Sequence, residues 1–255
     1  MIRKINKKGQ VMIYVIIAIV LAGSLLLFFF LDREPRTTID ERESNPQSYI
    51  EKCVRKHVDD AVNIILPQGG FLEPTNFRLY NNIKVDYLCQ NKGNYASCIN
   101  QHPMLLNEIE NDLIPYLNPK IEQCFSELRT ELEKRNADIE LTNQEIDLDF
   151  AFNRVYLKVN RKMTIRERGN TQIIDGFDVQ IISPLYDLVN VAVEIANQEA
   201  KYCYFEYVGY QVLYPNFDIR KFAFSEGTKI YTIKDKYSDK EMNIAIRSCA
   251  IPPGI

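Results

Sequence analysis

The sequence is poor in the residues from which most catalytic centres are built. It holds two histidines, His57 and His102, in 255 residues. No HExxH, GxSxG, GxGxxG or GxxxxGK[ST] pattern occurs, so zinc-protease, nucleophile-elbow, dinucleotide and P-loop chemistries have no foothold. No CxxC pair exists, which excludes a zinc site built from close cysteine pairs. No Asn-x-Ser/Thr sequon occurs, so glycosylation by that route is not expected. No catalytic residue, cofactor-binding residue or metal ligand is assigned on these grounds, and no cofactor is expected.

Charge is missing in one place above all. From Val11 to Leu31 there are 21 consecutive uncharged residues, with Tyr14 and Ser24 the only polar side chains. A helix of that length covers roughly 30 Å, the thickness of a bilayer's hydrocarbon core. A secretory signal has a shorter apolar region, of about 7–15 residues, and a small-residue cleavage site after it. The run ends instead in Leu25-Leu26-Leu27-Phe28-Phe29-Phe30-Leu31, then Asp32-Arg33-Glu34. It reads as a transmembrane helix. Arg3, Lys4, Lys7 and Lys8 precede it without an acidic residue, which places the N-terminus in the cytoplasm and the rest outside. Beyond the span, 27 Lys and Arg face 34 Asp and Glu, a net charge of about −7. That balance argues against nucleic acid as a partner and against an anionic lipid surface beyond the span itself.

All six cysteines follow the apolar run. An even count in an extracytoplasmic domain reads as a disulfide framework, for which 15 connectivities exist. Cys89 and Cys98 bracket a short polar loop, Cys53 and Cys124 each sit on a helical apolar face, and Cys203–Cys249 would tie the last helix to the last strand. Those three pairs are the local-pattern choice; buried free thiols are the alternative.

Residues 1–10 form a basic tail or leader, 11–31 the span and 32–47 a charged, proline-containing tether that Pro35 starts by breaking the helix. Residues 48–255 read as one α+β domain, an antiparallel sheet with packed helices. A helix is expected from the spacing of Ile50, Cys53, Val54, His57, Val58, Ala61, Ile64 and Ile65, stopped by Pro67, Gly69 and Gly70. A strand is expected in NNIKVDYL. Pro103 opens a second helix that Pro115 and Pro119 interrupt, and a further helix runs to Arg135. From Ala137 the period becomes two, with a hairpin at Arg168-Gly169-Asn170. Ser183-Pro184 starts a helix, and the tail returns to strands with turns at Ser225-Glu226-Gly227 and Tyr237-Ser238.

His57 lies beside the apolar face of its helix, where a packed histidine is commoner than a ligand. His102 precedes a proline and has no partner visible in the sequence. Acidic residues such as Asp147 and Asp149, or Glu108, Glu110 and Asp112, read as solvated faces. The most unusual composition is KYCYFEYVGYQVLYPNF. Its Tyr204, Tyr207, Tyr210 and Tyr214 form a candidate binding surface, since tyrosine offers apolar area, a hydroxyl and little entropy cost. Covering one side of the sheet is the plainer alternative.

Lys7-Lys8-Gly9-Gln10, followed directly by the apolar run, resembles an archaeal class III, or type IV prepilin-like, signal. The resemblance implies cleavage between Gly9 and Gln10, with Lys8, Gly9 and Gln10 as processing residues and 11–31 retained as a helix able to bundle into a filament. The layout as a whole also resembles membrane-anchored surface proteins of unknown function from small-genomed archaea. The sequence thus predicts a single-pass protein of the cell membrane that acts in binding, adhesion or surface assembly, not an enzyme. Its expected partners are the bilayer through 11–31, and other proteins or its own copies. A pilin-like subunit cleaved after Gly9 is the first alternative, and an anchored extracytoplasmic hydrolase the second.

Overall fold

A computed structural model describes residues 45–250, together with Val20, Leu21 and Gly23, which are helical. The basic tail with Lys8, Gly9 and Gln10, the remainder of the apolar run and the tether up to residue 44 lie outside the described residues. Among the described residues no helix is long and apolar enough to cross a membrane.

The compact unit begins at Asn45. Helix α1, Pro46–Ile65, opens with a proline at its first turn, and the Asn45 side chain accepts the Gln47 N–H at 3.0 Å. A short polar side chain there satisfies a donor that the helix cannot. The helix therefore starts two residues before the tether boundary drawn from composition. Ile50, Val54, Val58, Ala61 and Ile65 make its buried stripe. A 3-10 turn, Leu66–Gln68, ends it, and Gly69 and Gly70 follow at φ 87° and 104°. The left-handed backbone favours glycine at both, and a Cβ on Gly70 would also press on Ile109 Cδ1 at 3.0 Å.

Two sheets follow. The first comprises β1 (Phe77–Tyr80), β2 (Ile83–Gln90), β3 (Ile99–Asn100), β8 (Phe217–Ala223), β9 (Thr228–Asp235) and β10 (Glu241–Arg247), in the order β1-β2-β10-β9-β8 with β3 also on β2. The second comprises β4 (Asp138–Leu141), β5 (Glu145–Ala151), β6 (Arg154–Glu167) and β7 (Asn170–Ile182). In it β6 is central: β5 and β4 share one edge in tandem and β7 takes the other. The turn between β6 and β7 has Arg168 and Gly169 at φ 50° and 85°, the two positive angles of a tight hairpin. The fold is α+β, but the first sheet is mixed rather than antiparallel, because β2 and β10 run parallel. Parallel neighbours need a long crossover, and the whole second sheet with its helices supplies it.

Helix α2, Leu105–Glu133, corrects the expectation of a break. It is one helix of 29 residues that contains both Pro115 and Pro119. The two prolines are four residues apart and exposed, so their rings share the solvent side of the helix. The carbonyls that lose a donor belong to Asn111 and Pro115, both exposed residues, while Leu105, Ile109, Leu113, Leu117, Ile121 and Phe125 stay buried on the other side. Burial of that stripe outweighs the local penalty of proline.

Helices α1 and α2 lie on the second sheet, joined by the Cys53–Cys124 disulfide. Helix α3, Leu185–Tyr202, packs against strands of both sheets. Its Leu188, Ala192 and Ile195 are fully buried in one core that takes side chains from both sheets. A short helix α4, Tyr207–Leu213, leads into β8. A second, small cluster of Val85, Tyr87, Ile230 and Ala245 sits apart on the first sheet.

Candidate functional site

The six cysteines form three disulfides, Cys53–Cys124, Cys89–Cys98 and Cys203–Cys249. None is free. These are the three pairs that local pattern offered. The first ties α1 to α2, the second closes the loop between β2 and β3, and the third links the end of α3 to the chain after β10. Donor atoms of His57, Cys53 and Cys124 lie within 4.8 Å of one another. The sulfurs are bonded to each other, however, and a metal requires thiolates. Burial and Lys120 lower the pKa of His57, as expected of a packed, uncharged ring.

The four tyrosines of the aromatic run separate into two places. Tyr204 and Tyr207 flank Lys221, whose Nζ stands 5.2 Å from each ring centre, and the Tyr204 hydroxyl donates to Glu206. Tyr210 and Tyr214, one turn apart at the end of α4, pack ring to ring at 4.5 Å. Tyr210 also meets Phe205 at 5.4 Å, and Phe205 meets the buried Tyr231 at 6.0 Å. Burial first, then the neighbouring Tyr214, pushes the Tyr210 hydroxyl up to about 12.

Tyr210 and Tyr214 form one wall of a cleft of ≈ 550 Å³. Other segments complete it, among them the start of β8 with Asn216 and Phe217. The β5–β6 turn contributes Phe152 and Asn153, the start of α3 contributes Asp187, the end of β9 contributes Asp235, and the following turn contributes Tyr237. Each carboxylate is held by the backbone nearby. Asp187 Oδ2 accepts the Asn153 N–H at 2.8 Å, which pins the tip of the second sheet to α3. Asp235 Oδ2 accepts from the Ser238 N–H at 2.8 Å and its hydroxyl at 2.5 Å, closing the β9–β10 turn. Burial raises the Asp187 pKa above the ordinary aspartate value, and Asp235 adds to the rise; the Asn153 N–H works against it.

The lining holds no lysine, arginine or histidine. Lys236, next to Asp235 in the chain, is turned to the Pro215 carbonyl at 2.7 Å. The site is therefore aromatic on its walls and acidic within, and its lining draws on segments next to both sheets. Comparison with models of protein families, with curated proteins and with solved structures finds no match to this chain. What the cleft does has to be argued from its own chemistry.

Two further polar clusters escaped the sequence reading. His102 is not isolated: its Nδ1 stands 2.5 Å from Glu108 Oε2 and its Nε2 2.9 Å from Asp86 Oδ2, with the Phe71 ring 4.7 Å away. Only the imidazolium has a proton for both carboxylates. Burial opposes that charge, but the two hydrogen bonds outweigh it and the His102 pKa rises. Glu108, placed on a solvated face by its spacing, is half of this bridge. The second cluster centres on Glu199, which has no exposed surface. Lys229 Nζ meets its oxygens at 2.6 and 2.9 Å, and the Tyr231 hydroxyl donates to Oε1 at 2.5 Å. The signal for both was present. Asp86 lies in an otherwise buried stretch of β2, and Glu199 continues the apolar stripe of α3 at Ala196 plus three. A carboxylate in such a place is informative because it is seldom buried without a partner.

Proposed function

We propose that this chain is a single-pass, membrane-anchored extracytoplasmic protein whose α+β head binds a ligand or partner at the cell surface through the aromatic cleft. The observation that carries the reading is the pairing of all six cysteines. Disulfides persist in oxidising compartments and are rare in the cytosol. The uncharged run from Val11 to Leu31 and the basic residues before it supply the anchor and its orientation. The cleft supplies the binding function, since a concave site with apolar walls and a few convergent polar groups is the common form of a ligand site. Proteolysis of intact cells, combined with maleimide labelling of unreduced protein, tests the placement. The expected result is loss of the head to external protease and no labelled thiol. A protected head with reactive cysteines would overturn it.

The Lys7-Lys8-Gly9-Gln10 arrangement favours one alternative, a pilin-like subunit cut after Gly9. Mass spectrometry of the native N-terminus decides between them. A mature chain that begins at Gln10 supports prepilin-type processing, and one that begins at Met1 ends that reading. The anchored hydrolase rests on a single observation, the raised Asp187 beside Asp235. A shifted carboxylate in a cleft is what acid–base chemistry uses. That reading requires a glycosidic or ester substrate whose turnover disappears in both Asp187→Asn and Asp235→Asn.

A further inference from the structure

We propose that the cleft binds an organic cation: a primary ammonium or guanidinium group, seated against Tyr210, Tyr214 and Tyr237 with Asp187 and Asp235 as its counter-charges. The inference rests on the reading of the cleft as a binding site, and it assigns that site a ligand class.

Three observations lead to it. First, among the described residues neither Asp187 nor Asp235 has a basic side chain within ion-pair distance; each is held by backbone N–H groups or a serine hydroxyl. Other acidic groups are matched, as the buried Glu199 is by Lys229 and the half-exposed Asp59 by Lys240, each at 2.6 Å. Second, Asp187 and Asp235 line one partly buried cleft; burial chiefly raises the Asp187 pKa, and the like charge of Asp235 adds a smaller rise. An entering cation removes that repulsion, and an anion would add to it. Third, the walls are aromatic, and ring faces attract ammonium and guanidinium groups most strongly where water is partly excluded. Tyr214 and Tyr237 are exposed, with 48% and 88% of their surface accessible, so the mouth is open to a ligand. A neutral polyol fits the aromatic walls but leaves the repulsion in place.

Such a cation has two sources, a free polyamine or a Lys or Arg side chain on a partner protein. Calorimetric titration of the full chain in lipid nanodiscs separates them. The probes are spermidine, the capped amino acids N-acetyl-lysine methylamide and N-acetyl-arginine methylamide, and glucose and acetate as neutral and anionic controls. We expect one of the cations to bind and the controls to be silent. Asp235→Asn and Tyr214→Ala should each weaken binding at least tenfold, and the exposed Glu145→Gln should leave it unchanged. Asn keeps an acceptor for Ser238, and Tyr214 is at the surface, so both variants should fold; their thermal transitions verify this. Tighter binding of spermidine would identify a free polyamine, and tighter binding of a capped amino acid a partner's side chain. Binding of glucose or acetate that the same variants abolish would overturn the cation while leaving a binding cleft. Silence from every probe would overturn the cation too, and the placement of the head would still stand or fall on its own protease test.

Discussion

Glu199 and Asp187 sit on the same helix, twelve residues apart in the sequence, and they are handled in opposite ways. Glu199, near the end of α3, is sealed from solvent, and the fold brings it an ammonium from Lys229 and a phenol from Tyr231. Asp187, in the first turn, faces a cleft with a second carboxylate and no cation. A buried charge without a partner costs several kcal/mol, so the interior must supply one. Asp187 is only half-buried, so water screens it and it can stay without a cation at small cost; the buried Asp235 is held instead by the Ser238 N–H and hydroxyl. The difference teaches what each site is for. The completed cluster holds α3 on β9, whereas the cleft carboxylates have no cation among the described residues, which is what the proposed cation site builds on.

Removing the built-in partner gives the largest expected effect. Lys229→Met leaves Glu199 with its phenol alone, and breaking a buried pair from one side typically costs about 3–5 kcal/mol. Chemical denaturation of the variant should show a loss of that order, and Glu199→Gln added to it should restore much of the loss. A cost below about 1 kcal/mol would mean that Glu199 does not depend on Lys229, and the contrast with Asp187 would collapse.

His102 provides an intermediate case, since its partners Asp86 and Glu108 are built in but its charge depends on pH. Its folded pKa is raised, so the stabilisation is complete below about pH 6.5, the ordinary histidine value, and is lost as pH climbs through the folded value. With the ring partly solvated, the effect should be on the order of 1 kcal/mol after screening. Unfolding free energies at pH 6 and pH 9 should fall more for the native chain than for His102→Gln. Parallel profiles would show that the bridge carries no proton-linked stability.

Much of the fold was legible because its signals are local. The period-two segments from Ile139 onward, the Arg168-Gly169-Asn170 hairpin and the Ser183-Pro184 helix start all describe elements that the structure contains. The Cys89–Cys98 loop is equally local. What failed depended on surroundings. Pro115 and Pro119 look like breaks in isolation, and only the buried stripe beneath them explains a continuous helix. Strand β1 is short, half exposed and without alternation strong enough to declare itself. The parallel pairing of β2 with β10 joins residues as far apart as Tyr87 and Ala245. The candidate site was legible only in part: all four tyrosines stood out by composition, but Tyr210 and Tyr214 line the cleft while Tyr204 and Tyr207 flank Lys221. Asp187 and Asp235, 48 residues apart, come to line one cleft only through the tertiary fold. No spacing rule connects them.

The smallest expected effect has the opposite sign and tests the comparison most sharply. Asp187 lies at the N-terminus of α3, where the helix dipole favours an anion, yet burial and Asp235 raise its pKa. Its folded state therefore holds a proton more tightly than the unfolded chain does. Stability falls as pH rises through the window that starts at the ordinary aspartate value near 3.8, and at neutral pH the ionised group is a cost. Asp187→Asn removes the charge and keeps an oxygen for the Asn153 N–H, so it should stabilise the fold slightly, by less than about 1 kcal/mol at a site this accessible. The same variant should lose cation binding. A residue whose replacement strengthens the fold while it weakens the site is what a functional position is expected to be. If Asp187→Asn instead lowered stability, Asp187 would be a structural cap like Asn45, and the unpaired charge in the cleft would need no ligand to explain it.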